Sequence, residues 1–215
     1  MLELDHVFVA ARAGAPEMET LLRAGFQEGD RNRHAGQGTA SVGVFFENLY
    51  LELLWLEEPA EAESAPIRRT CLAQRADPEQ DALPFGFGLR YAAGVEVPLP
   101  FGTWHYHPPY LPMGAAIPMG TNSNNVEEPL LFVLPWKSGP GYECPQHPNG
   151  VRCVTKVLLT TRSAEDPSAE FSAFMSMGLV SVEVGSAPFL EVELDGCTSG
   201  AVLDMRTAMP MVIRW

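Results

Sequence analysis

Apolar side chains in this chain recur mostly at the strand period of two, in short runs, and only two stretches carry a clear helical stripe. The strand-like runs are residues 2–10, 39–47, 49–56, 85–91, 130–134, 151–160, 180–184 and 189–194, with two more near 201–205 and 211–215. The helical stretches are residues 16–24, with Met18, Leu21 and Leu22 as the stripe, and a segment led by Ser163 to Asp166 and striped by Phe171, Phe174 and Met175. Most of the 19 prolines fall between residues 84 and 150. That load excludes long helices and central strands from most of the middle of the chain. The same order, strand, helix, then several strands, occurs in residues 1–56 and again in residues 151–215, and Arg23-Ala-Gly-Phe26 parallels Ser176-Met-Gly-Leu179. Between them lie an acidic linker at 57–83, with a short helix expected around Ile67–Arg75, and a proline- and aromatic-rich segment at 84–150. Such a segment suits a few strands and the lining of a cleft. The class expected is α+β, in one compact unit.

The totals narrow the functions. The chain has 215 residues, 46% of them hydrophobic, which is enough to bury a core. Its net charge of −13 repels phosphate backbones and anionic lipid surfaces, so nucleic acid and membrane partners are not expected. No apolar run approaches the ~20 residues of a membrane span. The opening residues show strand alternation and not a basic and then apolar leader, so a cytoplasmic protein is expected. The four cysteines, at positions 71, 144, 153 and 197, form no C-x-x-C pair and read as free thiols. Cys144, His147 and Cys153 cluster in sequence, but their spacing fits no common zinc finger.

Several polar residues stand in apolar surroundings. Strict alternation puts Leu2, Leu4, His6, Phe8 and Ala10 on one face of the first strand. Glu52 shares a face with Tyr50 and Leu54. An imidazole and a carboxylate on apolar strands are the makings of a metal or acid/base site, and the bland alternative for Glu52 is an ion pair with Arg90 or Lys156. His34 precedes Gly36 and Gly38, whose amides either face a ligand or simply sit in a loop that needs positive φ. In Thr103–Tyr110 the side chains alternate, so His105 and His107 share a face, and Trp104 is a candidate for lining a ligand pocket. His147-Pro-Asn-Gly150 is a turn by composition, and its histidine is a second candidate binding residue.

Leu4-Asp5-His6-Val7, His34-Ala-Gly-Gln-Gly-Thr39 and Tyr50-Leu-Glu-Leu53, in that order, resemble the glyoxalase-like branch of the vicinal-oxygen-chelate superfamily. Pro129–Trp136 and His147–Gly150 resemble it in shorter patches. The resemblance implies paired βαβββ modules, curved mixed sheets around a cleft, and helices on the outside. It implies a small-molecule ligand, oxygen-rich or apolar, and a divalent metal such as zinc, iron, manganese or nickel, with lyase, isomerase or dioxygenase chemistry. Relatives without a metal bind and sequester small molecules. His6 falls on the first-strand ligand position and Glu52 on the last-strand position, where Glu52 also suits a catalytic role in moving a proton. The partner module is open. If it is residues 151–215, its first-strand position reads Lys156, a substrate anchor and not a metal ligand. If it lies in residues 84–136, Leu134 and Pro135 stand where a ligand is expected. Modules of this kind pair within one chain or between two copies, so a homodimer is one expected form.

Overall fold

A computed structural model describes residues 1–92, 97–135 and 144–215. The first part of the chain forms β1 (Leu2–Ala10), α1 (Met18–Arg23), β2 (Arg31–His34), β3 (Thr39–Phe45) and β4 (Tyr50–Leu56). Two one-turn helices follow, α2 (Pro59–Ala62) and α3 (Leu72–Arg75). The middle supplies β5 (Phe85–Tyr91), β6 (Thr103–Tyr106), β7 (Ile117–Gly120) and β8 (Leu130–Val133). The last part holds β9 (Val154–Thr161), α4 (Ala169–Ser176), β10 (Ser181–Val184), β11 (Phe189–Leu194), β12 (Val202–Asp204) and β13 (Met211–Arg214).

The first eight strands form one mixed sheet, in the order β2-β3-β4-β1-β5-β8-β7-β6. Each half repeats one plan, with the first strand parallel to the fourth and the third beside it. The halves join where β1 runs antiparallel to β5. The partner of the first module is therefore the proline-rich middle, within the same chain. Residues 151–215 form a separate five-stranded sheet, ordered β10-β9-β11-β13-β12. That order does not repeat the plan of the first module, although the element types match.

One face of the large sheet carries Val7, Val9, Val44, Leu51, Phe85, Phe87 and Leu89, packed with α1, α4 and the small sheet through Leu21, Phe174, Leu159, Val192 and Ile213. Phe87 on β5 stacks on Phe174 of α4, with ring centroids 5.0 Å apart. Burying each of these large side chains contributes about 1.5–3 kcal/mol. The other face carries Phe8, Leu54, Met119, Leu130 and Phe132, packed against Ile67 and Leu72 from the segment after β4. Among the described residues no helix is long and apolar enough to cross a membrane.

Five local features differ from strict pattern reading. The ladder between β1 and β5 shifts register between Leu4 and His6. The extra residue, Asp5, reverses the parity of the strand. Leu2 and Leu4 therefore pack with Val7 and Val9, and only His6 and Phe8 of the expected face reach the cleft side. Residues 31–34, polar enough to read as loop, form β2 because an edge strand is held by its backbone ladder to β3 while its side chains face water. β7 contains Pro118, tolerated because only Met119 pairs with β8. Residues 57–83, acidic enough to read as a linker, also pack into the molecule, since Ala62, Ile67, Leu72, Arg75 and Ala76 are buried. The Arg75 guanidinium donates to the carbonyls of Glu128 (2.5 Å), Asn125 (2.7 Å) and Ser123 (3.2 Å). The α4 helix starts later than its Ser163 signal, because the Ser168 hydroxyl accepts the amide of Phe171 and caps it.

Candidate functional site

A cavity of about 160 Å³ opens on the cleft face of the large sheet. Its apolar walls are Phe8, Leu54, Leu72, Ile117, Met119, Leu130, Phe132 and Leu134, drawn from both modules and from α3. Its polar groups are His6, Glu52, His34, Gln37, Tyr50, Tyr106 and Tyr110. The closeness of His6 and Glu52 follows from β1 lying parallel to β4, with His6 opposite Tyr50 and Phe8 opposite Glu52.

The imidazole of His6 is fixed on every side. Its Nδ1 lies 2.9 Å from Asp5 Oδ1. Tyr50 stacks on it at 4.6 Å and 19°, and Phe132 tilts against it at 5.2 Å. Gly88 of β5 lies beneath, and a Cβ there would come within 2.4 Å of His6 Cε1. Asp5 also accepts from Arg90 Nη1 at 3.1 Å, and Arg90 reaches Glu3 and the carbonyl of Asn48. Burial works against the charge of Asp5, yet the hydrogen bond from His6 and the Arg90 pair outweigh it and hold the carboxyl below its ordinary value. With Nδ1–H given to Asp5, the second nitrogen of His6, Nε2, faces Glu52 Oε2 across 3.8 Å. That gap is too long for a direct hydrogen bond. The Glu52 side chain is 14% exposed. Neither Arg90 nor Lys156 neutralises it, because Arg90 is taken by Asp5 and Glu3 and Lys156 pairs with Glu193.

His34, at the end of β2, closes one side of the cavity, with Nδ1 2.9 Å from Thr39 Oγ1 and its ring 5.0 Å from that of Tyr110. Burial lowers its pKa, the Glu52 charge opposes that shift, and His6 adds to it. Gly36 and Gly38 both take positive φ, and the Gly36 amide donates to Glu61, so this turn is occupied by the chain itself. Tyr106 donates to Gln37 Oε1 at 2.7 Å, and Gln37 Nε2 donates to Thr39 Oγ1. Burial, and then the negative charge of Glu52, raise the pKa of Tyr110, so its hydroxyl keeps its proton as a donor.

The other expected residues lie elsewhere. His147 is buried between backbones. Its Nδ1 accepts the amide of Gln27 and its Nε2 donates to the carbonyl of Phe45, both at 2.9 Å. Its two nitrogens are thereby used in clamping residues 145–150 to the first module, and it does not line the cavity. Trp104 lies beside the cavity, donating to Ser123 with Arg69 over its ring at 4.3 Å. His105 and His107 are exposed, and it is Tyr106, on the opposite face of β6, that reaches the pocket. Lys156 is half-exposed on the small sheet. The cysteines are free, and Trp136 lies outside the described residues. Pattern reading passed over Asp5, Gln37, Tyr106 and Tyr110. Asp5 carried one signal, a charge inside an apolar strand; Tyr110 carried none beyond its place after two prolines.

A divalent metal needs more donors than the described residues bring together in this cleft. His6 and Glu52 are two. The positions of the second module that face them are Gly86 and Gly88 on β5 and Leu130 and Phe132 on β8. None of these is a ligand, and a side chain at Gly86 or Gly88 would overlap the rings of Phe8 and His6. Among the described residues no group of three His, Cys, Asp or Glu is placed to hold an ion. The donor set does not fit the metal that the resemblance implies.

Residues 4–94 match the glyoxalase-like domain family. No curated protein matches the chain. Among solved structures, a hypothetical protein from Staphylococcus aureus superposes with a TM-score of 0.58 at 11% identity, covering 100% of this chain and 99% of that one. At that identity the likeness is one of fold. The family match runs from Leu4 through the rest of the first module and β5, and it contains the three strings that carry the resemblance and most of both strands that meet at the seam. Over residues 4–94 this chain is similar to glyoxalase-like domains.

Proposed function

We propose that the cleft binds a small organic molecule without a metal. The observation that carries this reading is the composition of the cavity: an apolar floor from both modules, a few converging polar groups, and glycine or apolar residues where further metal ligands would stand. His6 and Glu52 form the polar anchor, His34 and Tyr110 flank it, and the apolar walls hold the body of the ligand. Trp104, His147 and Lys156 support the surrounding structure and do not touch the ligand. The test is a fragment screen by protein-observed NMR on untagged protein, with dialysis against zinc, manganese and nickel as a second arm. The expected hits shift resonances of Phe8, Leu54 and Met119 and vanish in Met119→Trp, which fills the cavity. Hits that map elsewhere, or stoichiometric metal held at micromolar concentration, would refute the reading.

The Asp5–His6–Glu52 geometry favours a second reading, in which bound ligand undergoes proton transfer. A histidine oriented by one carboxylate and facing another is suited to moving a proton, with Glu52 as the partner acid. Exchange of an acidic C–H of a bound ligand for deuterium, lost in His6→Gln, is the expected sign; equal exchange in both proteins overturns it.

A further inference from the structure

We infer that the ligand of this cleft is a small protonated amine with an apolar body, its ammonium group seated between His6 Nε2 and Glu52 Oε2. The inference rests on the cleft being a small-molecule site, and it names the chemistry that site selects.

The side chain of Glu52 accepts no hydrogen bond among the described residues, and no lysine or arginine there lines the cavity. A carboxylate in apolar surroundings gains most from a ligand that brings the opposite charge. The second observation is the acceptor pair. In its neutral form His6 gives Nδ1–H to Asp5 and turns an acceptor, Nε2, toward Glu52 at 3.8 Å. One nitrogen between them, with three protons, can donate to both. A hydroxyl has one proton and satisfies only one of the two acceptors. An anionic ligand meets Glu52 with no lysine or arginine among the described lining residues to offset it. The third observation is aromatic. Tyr50 and Phe132 flank the His6 ring and Tyr110 lies beside His34, so aromatic side chains line the cavity around the seat of the charge. The cavity, about 160 Å³, is close to the ~150 Å³ apolar cavity that accommodates benzene, so the body is one ring or its aliphatic equivalent.

A matched series tests the head group while holding the body constant: benzylamine, benzyl alcohol, toluene and benzoate, titrated into the full untagged chain at pH 7.5 and followed by protein-observed NMR. Benzylamine is expected to bind roughly tenfold or more tightly than benzyl alcohol, the usual worth of a hydrogen bond to a charged group. Benzoate is expected to bind most weakly. Glu52→Gln, which keeps the shape and removes the charge, should bring benzylamine to the level of the alcohol. If the alcohol or toluene binds in the cavity as tightly as the amine, or benzoate binds best, the amine inference is overturned and the cleft remains a binding site. If no member of the series perturbs the cavity, both the inference and the proposed function fall.

Discussion

Gly88→Ala is expected to destabilise the protein, and the sign alone is informative. Replacing a strand glycine by alanine ordinarily stabilises by about 0.4–1 kcal/mol, because the unfolded chain loses freedom. Gly88 shows no positive φ that would forbid the change. The obstacle is the His6 ring: the new Cβ would lie 2.4 Å from Cε1, 2.7 Å from Nδ1 and 2.9 Å from Nε2. That is roughly 1 Å inside ordinary van der Waals contact. The ring cannot retreat cheaply, since Asp5 holds Nδ1, Tyr50 stacks on one face and Phe132 leans against it. Overpacking of this kind costs about 1–3 kcal/mol. After the entropic gain is subtracted, a net loss of about 1–2 kcal/mol remains. Urea denaturation of the wild type, Gly88→Ala, His6→Ala and the double variant closes a cycle. With the ring removed, the same Gly88→Ala change should become neutral or stabilising, giving a coupling of about 1 kcal/mol or more. An equal penalty in both backgrounds would show that the glycine answers to something other than His6.

Other expectations follow from the same structure. His147 and His34 both have pKa values lowered from 6.5, chiefly by burial, so the unfolded chain binds their protons first as pH drops. Their contribution to stability is therefore complete above about pH 6.5 and is lost as pH falls toward the folded values; a flat urea midpoint between pH 7.5 and pH 5 would contradict this. His147→Ala removes the acceptor of the Gln27 amide and one donor to the Phe45 carbonyl, which also receives Cys144 Sγ at 3.4 Å, and should cost about 1–3 kcal/mol by the same denaturation assay. Arg75→Met should cost about 3 kcal/mol or more, because three main-chain carbonyls lose their donor; a loss below 1 kcal/mol would mean that water replaces the guanidinium. Burial pulls the Arg75 pKa down to about 10, below its unfolded value, so raising the pH through that range should not lower stability through this group. Glu52→Leu should leave thermal stability unchanged or raise it, as expected of a carboxylate kept for a ligand and not for the fold. A fall in Tm of several degrees would assign Glu52 a structural role.

The α+β class and the strand-rich element order were legible in the chain, and the family resemblance implied that His6 and Glu52 share a cleft. Each depends on local information: the period of two, the proline and glycine stops, and three short strings in a set order. Tertiary structure decided what those residues face. One extra residue at Asp5 reverses which side chains of β1 see the cleft, and a bulge leaves no mark in an alternating pattern read one strand at a time. The partner module was equally hidden. Element order favoured residues 151–215, whereas backbone pairing along β5 joined the proline-rich middle to the first module. The tolerated proline of β7 and the single pair it makes with β8 are properties of a ladder and not of composition. His147 looked like a site residue and is a clamp, since only its neighbours in space show that both ring nitrogens are taken. The same holds for the cleft. Its two donors are written in β1 and β4, but the glycines that make room for His6, and the apolar residues that stand where further ligands would, acquire meaning only when β5 and β8 are laid opposite them. Side-chain chemistry is local, whereas the number of donors that meet at one point depends on contacts between residues far apart in the chain.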